Sequence, residues 1–411
     1  MTVSKSIADR MDVSLGTAAP ALRDIIHLAI EARLDDRAEG PRIHEVHDLA
    51  FSRAEGSDYL ALVRMWRDNM AGRIAGLPER GCPACAGEKR HNLFESYDCY
   101  PYVACLDCGT WYVPHQVTGE IIAEFHRRVP EAGRIADRMM SGRNETTRTI
   151  DRSRFARYFD LLTPLLARIE RPRYLDIGCG VGHSVEFASE LGMAATGVEI
   201  SQVAVDTARA NGRNVVLPEN HDPDAVYDLV ALFETLEHVT DPDDMLHKAR
   251  QSLAPGGAIV ITVPNRASWE VSLLRERCFH VYGGTDGVGH INLFATGGLD
   301  RLLARHDLSL VHTDCEHGSD VMQIFSHLSS DDRSALDVID NGRIDLDLPY
   351  SVRALLNATG PALSLLERVL VRSPILVAVG CRKEDVVDLA PEISMMKSRL
   401  KRELLDALSS I

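Results

Sequence analysis

Glycines alternate with other residues after a short apolar run near the middle of the chain. The run is Tyr174–Ile177, and the glycines that follow it are Gly178, Gly180 and Gly182. Residues without a Cβ let the backbone approach a ligand closely and adopt positive φ angles. A second apolar run ends on Glu199, about 20 residues further on, where a carboxylate can accept hydrogen bonds from both ribose hydroxyls. A strand, a glycine loop, a helix, a strand and an acid in this order predict a nucleoside site.

Two residues beside the loop distinguish between candidate nucleosides. A dinucleotide loop needs glycine or alanine three positions after its second glycine, so that the helix packs closely on the strand. This chain has His183 at that position, and Asp176 precedes the loop. A carboxylate there would repel a pyrophosphate but suits a ligand that carries an ammonium group. The pattern therefore favours S-adenosylmethionine (SAM) over a dinucleotide.

Acidic and histidine side chains follow the next buried run, Tyr227–Phe233. Glu234, Glu237 and His238 leave this strand at the carboxyl edge of the predicted sheet, where doubly wound folds bind ligands. An unperturbed histidine, with a pKa near 6.5, can take a proton at neutral pH, so His238 is a candidate general base. His290 is the second candidate, and Glu237 is expected to take part in catalysis with them. The alternative is that these side chains cap the next helix and pack the pocket without moving a proton.

Two C-x-x-C pairs lie nearer the amino terminus. Nineteen residues separate Cys82 and Cys85 from Cys105 and Cys108. This spacing places four thiolates around one tetrahedral Zn²⁺ and predicts a zinc ribbon. Four cysteines leave no open coordination position, so we expect the zinc to be structural. A disulfide or a redox pair is the weaker alternative in a cytosolic chain.

These residues resemble a known family, the class I SAM-dependent methyltransferases. Asp176–Gly182 is similar to their first motif, and Glu199 is similar to their ribose-binding acid. The later motifs resemble the branch that contains ubiquinone-type and bacterial sugar methyltransferases. They are the strand Tyr227–Phe233 with Glu234–Pro242, the turn Leu253–Gly257 with the strand Ala258–Asn265, and the segment His290–Phe294. The resemblance covers roughly Arg154 to Arg382.

The resemblance implies an α/β fold with a doubly wound, Rossmann-like sheet of seven strands. It also implies a SAM site, for which we expect contacts from Asp176, Gly178, Cys179, Gly180, Gly182, Glu199, Ile200, Phe233 and Glu234. Similarity to ubiquinone-type enzymes implies that Glu234, Glu237 and His238 could instead be ligands of Mg²⁺. Family members with an amino-terminal zinc ribbon act on sugars or natural products, which implies a small-molecule acceptor from biosynthesis.

The composition is that of an ordinary soluble globular protein. The chain has 411 residues, of which 45% are hydrophobic and 26% charged, so we expect two or three domains. Its formal net charge of −15 repels nucleic acid and anionic membranes. We found no apolar run of about 20 residues and no secretion signal, so we expect a cytoplasmic protein without a membrane span.

The sequence predicts four segments. Residues 1–76 contain helical patterns at Leu22–Arg33 and Tyr59–Ile74, and Ser57-Asp58 is the expected cap of the second helix. The others are a zinc ribbon at 77–117, a methyltransferase domain at 118–382 with a helical insertion at about 315–372, and an amphipathic carboxyl-terminal helix at 383–411. The first segment could serve dimerisation or cover the substrate, and the last could dock on the body or on a partner subunit. A homodimer therefore stays open.

Three regions are expected to build the acceptor side, and the first of them is the zinc ribbon. Helices just before the first motif often close over the substrate in the resembled branch, so Arg154, Arg157 and Tyr158 are candidate lining residues. The segment Arg266–Gly289 lacks a strong period and follows the carboxyl end of a strand, which is typical of a substrate lid. The residue that contacts adenine stays open among Glu219, Asn220 and Asp222.

Two other classes of function stay open. A zinc ribbon ahead of this fold also occurs in a family of ribosomal RNA guanine methyltransferases, and ribbons that read bases need basic or stacking side chains. From Arg80 to Trp111 the chain has three basic and four acidic residues, which argues against nucleic acid as the substrate. The second class is a SAM-binding protein without catalysis.

Overall fold

The computed structural model describes residues 53–96, 98–146, 148–268, 271–272, 289–316, 367–368 and 370–409. The predicted helix at Leu22–Arg33, most of the predicted lid and nearly all of the predicted insertion lie outside these ranges. Within them, no helix combines the length and the apolar character needed to cross a membrane.

The described residues of the amino-terminal part form three α-helices and three short strands. They are α1 (Arg53–Met70), β1 (Arg90–Glu95), β2 (Pro101–Cys105), β3 (Trp111–Tyr112), α2 (Gly119–Arg128) and α3 (Pro130–Thr146). The predicted helix cap at Ser57-Asp58 is wrong, because both residues lie inside α1. Asp58 instead accepts two hydrogen bonds of 2.8 Å from the guanidinium of Arg138, which ties α1 to α3.

The rest of the chain alternates helices and strands. The elements are α4 (Arg148–Leu166), β4 (Arg173–Ile177), α5 (His183–Glu190), β5 (Ala194–Val198), α6 (Gln202–Ala210), β6 (Val215–Val216), β7 (Tyr227–Phe233), α7 (Pro242–Gln251), β8 (Leu253–Pro264), β9 (Asn292–Leu293), α8 (Thr296–Arg305), β10 (Leu308–Cys315), β11 (Ile375–Arg382) and α9 (Ala390–Ser409). The predicted turn at Leu253–Gly257 is an irregularity within β8, since pairing with β7 passes from Leu253 directly to Ala258.

Seven strands form one sheet in the order β10-β11-β8-β7-β4-β5-β6. Strands β4 to β8 run parallel, and β11 pairs antiparallel with both β8 and β10. The predicted doubly wound α/β sheet is therefore confirmed. Strand β4 lies between β5 and β7, so the chain order reverses there, and the carboxyl ends of these strands border the crevice where such sheets bind ligands.

Both faces of this sheet are covered, which explains the continuous apolar run of β7. Leu229 and Ala231 pack in a cluster with side chains of α4 and α5, whereas Val230 and Leu232 pack in a second cluster with α7 and α8. Successive residues of a strand point to opposite faces, so a strand buried on both sides needs apolar residues throughout.

A second sheet of four strands, β1-β2-β3-β9, joins the two parts of the chain. Trp111 of β3 pairs with Leu293 of β9, about 180 residues away. The predicted boundary at residue 117 therefore cuts through one sheet. Trp111 packs with the hydrophobic cluster of α1 to α3, and Tyr112 packs with the cluster that contains α8. The sheet therefore lies between the two clusters.

The carboxyl-terminal helix docks on the body of the protein. Ile393 and Met396 are buried in the cluster that contains α4. Arg399 donates a hydrogen bond of 3.0 Å to the backbone oxygen of Asp160 in α4. The apolar face predicted for this helix is thus covered by the body of the same chain, at the positions whose side chains the structure describes.

Candidate functional site

The glycine loop between β4 and α5 has the backbone geometry that the sequence predicts. Gly178 has a φ of +80°, and a Cβ there would lie 2.7 Å from the side chain of Thr235. Gly180 has a φ of +54°, and a Cβ there would project into open space. Gly182 is different, because a Cβ at its position would meet Val215 at 2.8 Å. Gly178 and Gly180 line a cleft, whereas Gly182 packs the loop against β6.

Asp176 places a buried carboxylate at the base of this loop. Its side chain is 2% exposed, and its Oδ2 accepts a hydrogen bond from Ser184 in α5. Its Oδ1 is buried without a hydrogen-bond partner in the protein. Burial raises the pKa of this carboxyl to about 7, and the nearby Glu199 adds to the rise. A cationic donor group would satisfy the free oxygen and stabilise the charged form.

Glu199 follows β5 and already organises the loop. Its Oε2 accepts from the backbone N–H of Gly180 at 2.9 Å, and its Oε1 accepts from that of Ser201 at 2.8 Å. These bonds fix the carboxylate at the carboxyl end of the sheet, where a ribose would lie. Ile200 comes next and is 83% exposed, so the described residues leave most of its side chain uncovered.

Helix α4 and the end of β7 form the opposite wall of the cleft. The enclosed space is about 650 Å³, counting the part that opens to solvent, and Cys179 also borders it. Phe233 stacks on Tyr158 with ring centroids 5.2 Å apart. From α4 the wall consists of Asp151, Arg154, Phe155 and Tyr158. Residues at this spacing share one face of a helix. The predicted lining residues include Arg154 and Tyr158 but not Asp151 and Phe155, which the same spacing would have identified.

Arg154 is the arginine of this wall, and carboxylates surround it. Its Nε donates to Glu316 at 2.6 Å, and its Nη2 lies 3.5 Å from Glu234. Tyr158 also donates to Glu316, at 2.6 Å. Arg157, predicted beside them, lies away from this cleft, where its Nη2 donates to the backbone oxygen of Cys315 at 3.4 Å. Arg154 and Tyr158 thus line the cleft of the glycine loop and Arg157 does not, and their place on the acceptor side stays a prediction.

Glu234 has a strained backbone. Its φ of +49° falls in the left-handed region that side chains other than glycine avoid. Its backbone N–H donates to the backbone oxygen of Thr262 at 3.0 Å, which holds the turn at the end of β7. Strain of this kind is concentrated at functional sites. The turn points the carboxylate of Glu234 into the cleft, towards Arg154.

The three predicted catalytic residues form a separate cluster. His238 and His290 lie in edge-to-face contact with ring centroids 4.8 Å apart, and Glu237 is fully buried beside them. Glu234 does not join this group, so the predicted Mg²⁺ ligand set of Glu234, Glu237 and His238 is not assembled. One carboxylate with two imidazoles offers too few oxygen atoms for Mg²⁺, which prefers oxygen ligands.

The four-stranded sheet supports the two histidines. Tyr102 of β2 donates its hydroxyl to the backbone oxygen of His290. Arg80 donates to the backbone oxygens of Thr240 at 2.7 Å and of Ile291 at 3.1 Å. The side chain of Asn292 adds bonds to the backbone oxygens of Leu236 and Val239. The loop after β7 and the segment before β9 are thus fixed to each other.

The four cysteines of the predicted ribbon lie together. Their Sγ atoms are all within 4.8 Å of one another, and the pairs Cys82–Cys108 and Cys85–Cys105 are each 3.5 Å apart. The hydrogen bond between Cys82 and Cys108 raises the pKa of Cys82 and lowers that of Cys108 to about 4. A lowered pKa favours the thiolate, which is the form that binds metals.

The turns around these cysteines also suit a metal. Ala86 and Gly109 have positive φ angles of 58° and 78°. Backbone N–H groups of Ala84, Gly87 and Thr110 donate to the cysteine sulfurs. Sulfurs that converge and accept backbone bonds match the donor set of a structural tetrahedral zinc.

Comparison with known proteins agrees with this geometry. Residues 150–313 match the family model described as a methyltransferase domain. A ubiquinone biosynthesis O-methyltransferase from Alkalilimnicola ehrlichii is 32% identical over 117 residues, which cover 26% of this chain and 47% of the relative. Its counterpart from Caulobacter sp. is 31% identical over 130 residues, which cover 27% and 52%. The chain thus spans about half the length of the curated relatives it matches.

Solved structures were also compared. A SAM-dependent methyltransferase from Thermotoga maritima has 20% sequence identity and a TM-score of 0.34, with 58% of this chain and 95% of that chain covered. A likeness at this score carries no argument about function.

Proposed function

We propose that this chain, whose residues 150–313 match the family model of a methyltransferase domain, transfers a methyl group from SAM to a small-molecule acceptor. The observation that carries the proposal is the free Oδ1 of Asp176, buried in the cleft of the glycine loop. A carboxylate that is out of water and unpaired there fits the ammonium group of SAM and repels a pyrophosphate.

Residues in and beside the cleft complement the rest of the cofactor. Glu199 lies where it can accept the ribose hydroxyls, and Ile200 offers exposed apolar surface for the adenine. Arg154, between two glutamates, would take the carboxylate of the methionine moiety. Phe233 and Cys179 would contact the remaining apolar parts. When bound, SAM supplies an activated methyl group with a good leaving group.

The task left to the protein is to hold the acceptor in line and to remove its proton. We assign the second role to His238, with His290 beside it as the alternative. In this assignment Glu237, buried next to both rings, stabilises whichever imidazole carries the proton. A hydroxyl must lose its proton to become a strong nucleophile, so it is an acceptor that needs such a base, and the relatives are named O-methyltransferases. We infer a hydroxyl on a sugar or a natural-product intermediate.

The cysteine cluster supports a structural Zn²⁺ held by Cys82, Cys85, Cys105 and Cys108. Its role in this proposal is to stabilise the four-stranded sheet that positions His290. Reduced cysteines are required for such a site, which agrees with a cytoplasmic location. The cluster of Glu237, His238 and His290 does not fit Mg²⁺, and no step is assigned to that ion.

An RNA substrate is not favoured by the side chains of the ribbon. Readers of single-stranded bases present aromatic rings for stacking. Tyr100, Tyr102, Trp111 and Tyr112 are each at most 6% exposed. These aromatic side chains build the core between the two parts of the protein, so a base cannot stack on them.

Two experiments test the proposal. Calorimetric titration of the purified protein with SAM should give one site per chain, and Asp176→Ala should remove binding. Release of S-adenosylhomocysteine should then be measured with panels of phenols, sugars and ribosomal RNA. Turnover with a small hydroxylated compound is the expected result. Absence of SAM binding to the folded wild-type protein would refute the assignment, and turnover with RNA alone would replace the acceptor class.

A further inference from the structure

Asp151 and His183 form a pair that the assignments above do not use, in which His183 is buried and Asp151 is partly exposed. His183 opens α5 at the position where a dinucleotide loop needs a small residue, and its side chain is 4% exposed. Its Nδ1 lies 2.7 Å from Oδ2 of Asp151, which belongs to α4. Its Nε2 is buried without a hydrogen-bond partner in the protein. Both residues line the cleft of the glycine loop.

The pair determines the chemistry of the free nitrogen. A carboxylate accepts hydrogen bonds, so Asp151 holds the proton of a neutral His183 imidazole on Nδ1. The Nε2 atom is then an acceptor only. A buried polar atom without a partner is unfavourable, which indicates that a ligand in the cleft supplies a donor.

Asp176 supplies a second acceptor in the same cleft, its free Oδ1. The two residues are linked through the first turn of α5, since Ser184, which follows His183, donates to Oδ2 of Asp176. Two unsatisfied acceptors in one cleft suit a ligand group with several N–H donors. An ammonium group has three.

We propose that His183, oriented by Asp151, is a cofactor-binding residue that accepts a hydrogen bond from the ammonium group of SAM. Asp176 then takes a second proton of the same group. Asp151 is a positioning residue, because it acts only through the tautomer of His183. The inference rests on the proposed SAM site and adds to it the residues that select the amino group.

Four probes separate the ligand groups in a calorimetric titration at pH 8. They are SAM, S-adenosylhomocysteine, decarboxylated SAM, which keeps the amine and lacks the carboxylate, and methylthioadenosine, which lacks both. His183→Ala should weaken binding of the three amines by about tenfold and leave methylthioadenosine unchanged. Asp151→Asn should have a similar effect, since an amide N–H facing Nδ1 moves the proton to Nε2 and removes the acceptor.

Glu190→Ala is the matched control. It removes another contact between α4 and α5, the exposed ion pair of Glu190 with Arg152, and should change no affinity. Melting curves of all variants check that they fold. If His183→Ala does not fold, Asp151→Asn carries the test.

Three results overturn the inference. Equal weakening of all four probes would mean that the pair only shapes the loop. Weakening of SAM and S-adenosylhomocysteine without decarboxylated SAM would assign His183 to the carboxylate. Unchanged binding of all probes would remove His183 from the site. If the wild-type protein bound none of them, the proposed SAM site itself would fail, which is a distinct outcome.

Discussion

The guanidinium of Arg80 donates a hydrogen bond of 2.7 Å to the backbone oxygen of Thr240, two residues beyond His238. The same side chain donates to the backbone oxygen of Ile291 at 3.1 Å, one residue beyond His290. Arg80 itself lies two residues before the first cysteine of the cluster. One side chain therefore connects the cysteine cluster with both segments that carry the candidate base.

Arg80→Lys should loosen this connection. Lysine cannot reproduce the planar fork of donors, so at least one of the backbone oxygens of Val113 and Thr240 loses its side-chain donor. We expect a loss of about 1–3 kcal/mol in the free energy of unfolding and weakening of the nuclear Overhauser effect between the rings of His238 and His290. SAM affinity should stay the same, because the glycine loop has no contact with Arg80.

Arg90→Lys is the matched control for that variant. Arg90 pairs with Glu79 in the same part of the chain, but Glu79 is exposed. This change should cost less than about 0.5 kcal/mol, the scale of a surface ion pair. Equal losses in the two variants would show that Arg80 has no special part in holding the two segments.

The cysteine cluster should bind about one zinc per chain. Elemental analysis of purified protein measures this directly. Changing Cys82, Cys85, Cys105 and Cys108 together to serine should remove the metal and lower the melting temperature by about 10 °C or more, because metal binding contributes to folding. Cys99→Ser, which lies outside the cluster, should keep the zinc. A quadruple variant with unchanged metal and melting curve would contradict the zinc assignment.

Glu199→Ala should weaken SAM binding by about 1–3 kcal/mol, since hydrogen bonds to a charged group have this scale. The variant also loses the bond that Glu199 accepts from the N–H of Gly180. Asp206→Ala, on the exposed face of α6, is the control and should bind as the wild type does. Calorimetry that returned equal affinities for Glu199→Ala and the control would separate this carboxylate from the cofactor.

Asp176 should make stability and binding respond to pH in opposite ways. Its pKa is raised to about 7 by burial, against about 4 in an unfolded chain. The ligand-free protein therefore loses stability as the pH rises from 4 to 7, because the folded state resists ionisation. The Asp176→Asn variant lacks this loss. The free energy of unfolding of the variant, relative to that of the wild type, should therefore rise by about 2–3 kcal/mol between pH 5 and pH 8. Denaturant titration at both pH values measures this difference.

Binding should show the reverse dependence. SAM requires the ionised form of Asp176, so its affinity for the wild type should rise with pH up to about 7 and then level off. Calorimetry in buffers with different ionisation enthalpies should detect proton release on binding below pH 7. An affinity that is independent of pH between 5 and 8 would contradict a role of Asp176 in holding the ammonium group.

The sequence predicts the parts of the site that are determined by local backbone geometry. Gly178, Asp176 and Glu199 follow fixed positions along one strand–loop–helix unit, so their spacing alone is informative. The contact of His238 with His290 depends on β9 joining β3 across about 180 residues, and no local pattern records such pairing. In the sequence, Arg80 is only one of the positive charges near the cysteines. In the structure it donates hydrogen bonds to the backbone oxygens of Val113, Thr240 and Ile291.

The error at Ser57-Asp58 has a similar cause. A serine–aspartate pair often caps a helix, and the apolar spacing after it fits a helix start. The structure already has helix from Arg53, and the carboxylate of Asp58 pairs with Arg138 of α3. Contacts between helices decided the role of this residue, and such contacts are not visible in a local pattern.

The assignment of the base is tested by His238→Ala and His290→Ala, assayed with an acceptor found through release of S-adenosylhomocysteine. Loss of a general base typically costs 10²- to 10⁴-fold in rate. We expect this loss in kcat for His238→Ala with SAM affinity intact. In the wild type the rate should rise with pH as the imidazole loses its proton, and the variant should lack this rise. His247→Ala, on the exposed face of α7, should keep both the rate and its pH dependence.

A chelator control completes the test. Activity that is lost in chelator and restored by Mg²⁺ would make Glu237, His238 and His290 metal ligands, against our interpretation of their donor atoms. A large loss in His290→Ala alone would move the base to that residue, whose backbone oxygen Tyr102 holds from the four-stranded sheet. Near-normal turnover of both variants would mean that the two histidines only pack the site. The acceptor would then ionise without a base, and the protein would need only to hold it in line with the methyl group.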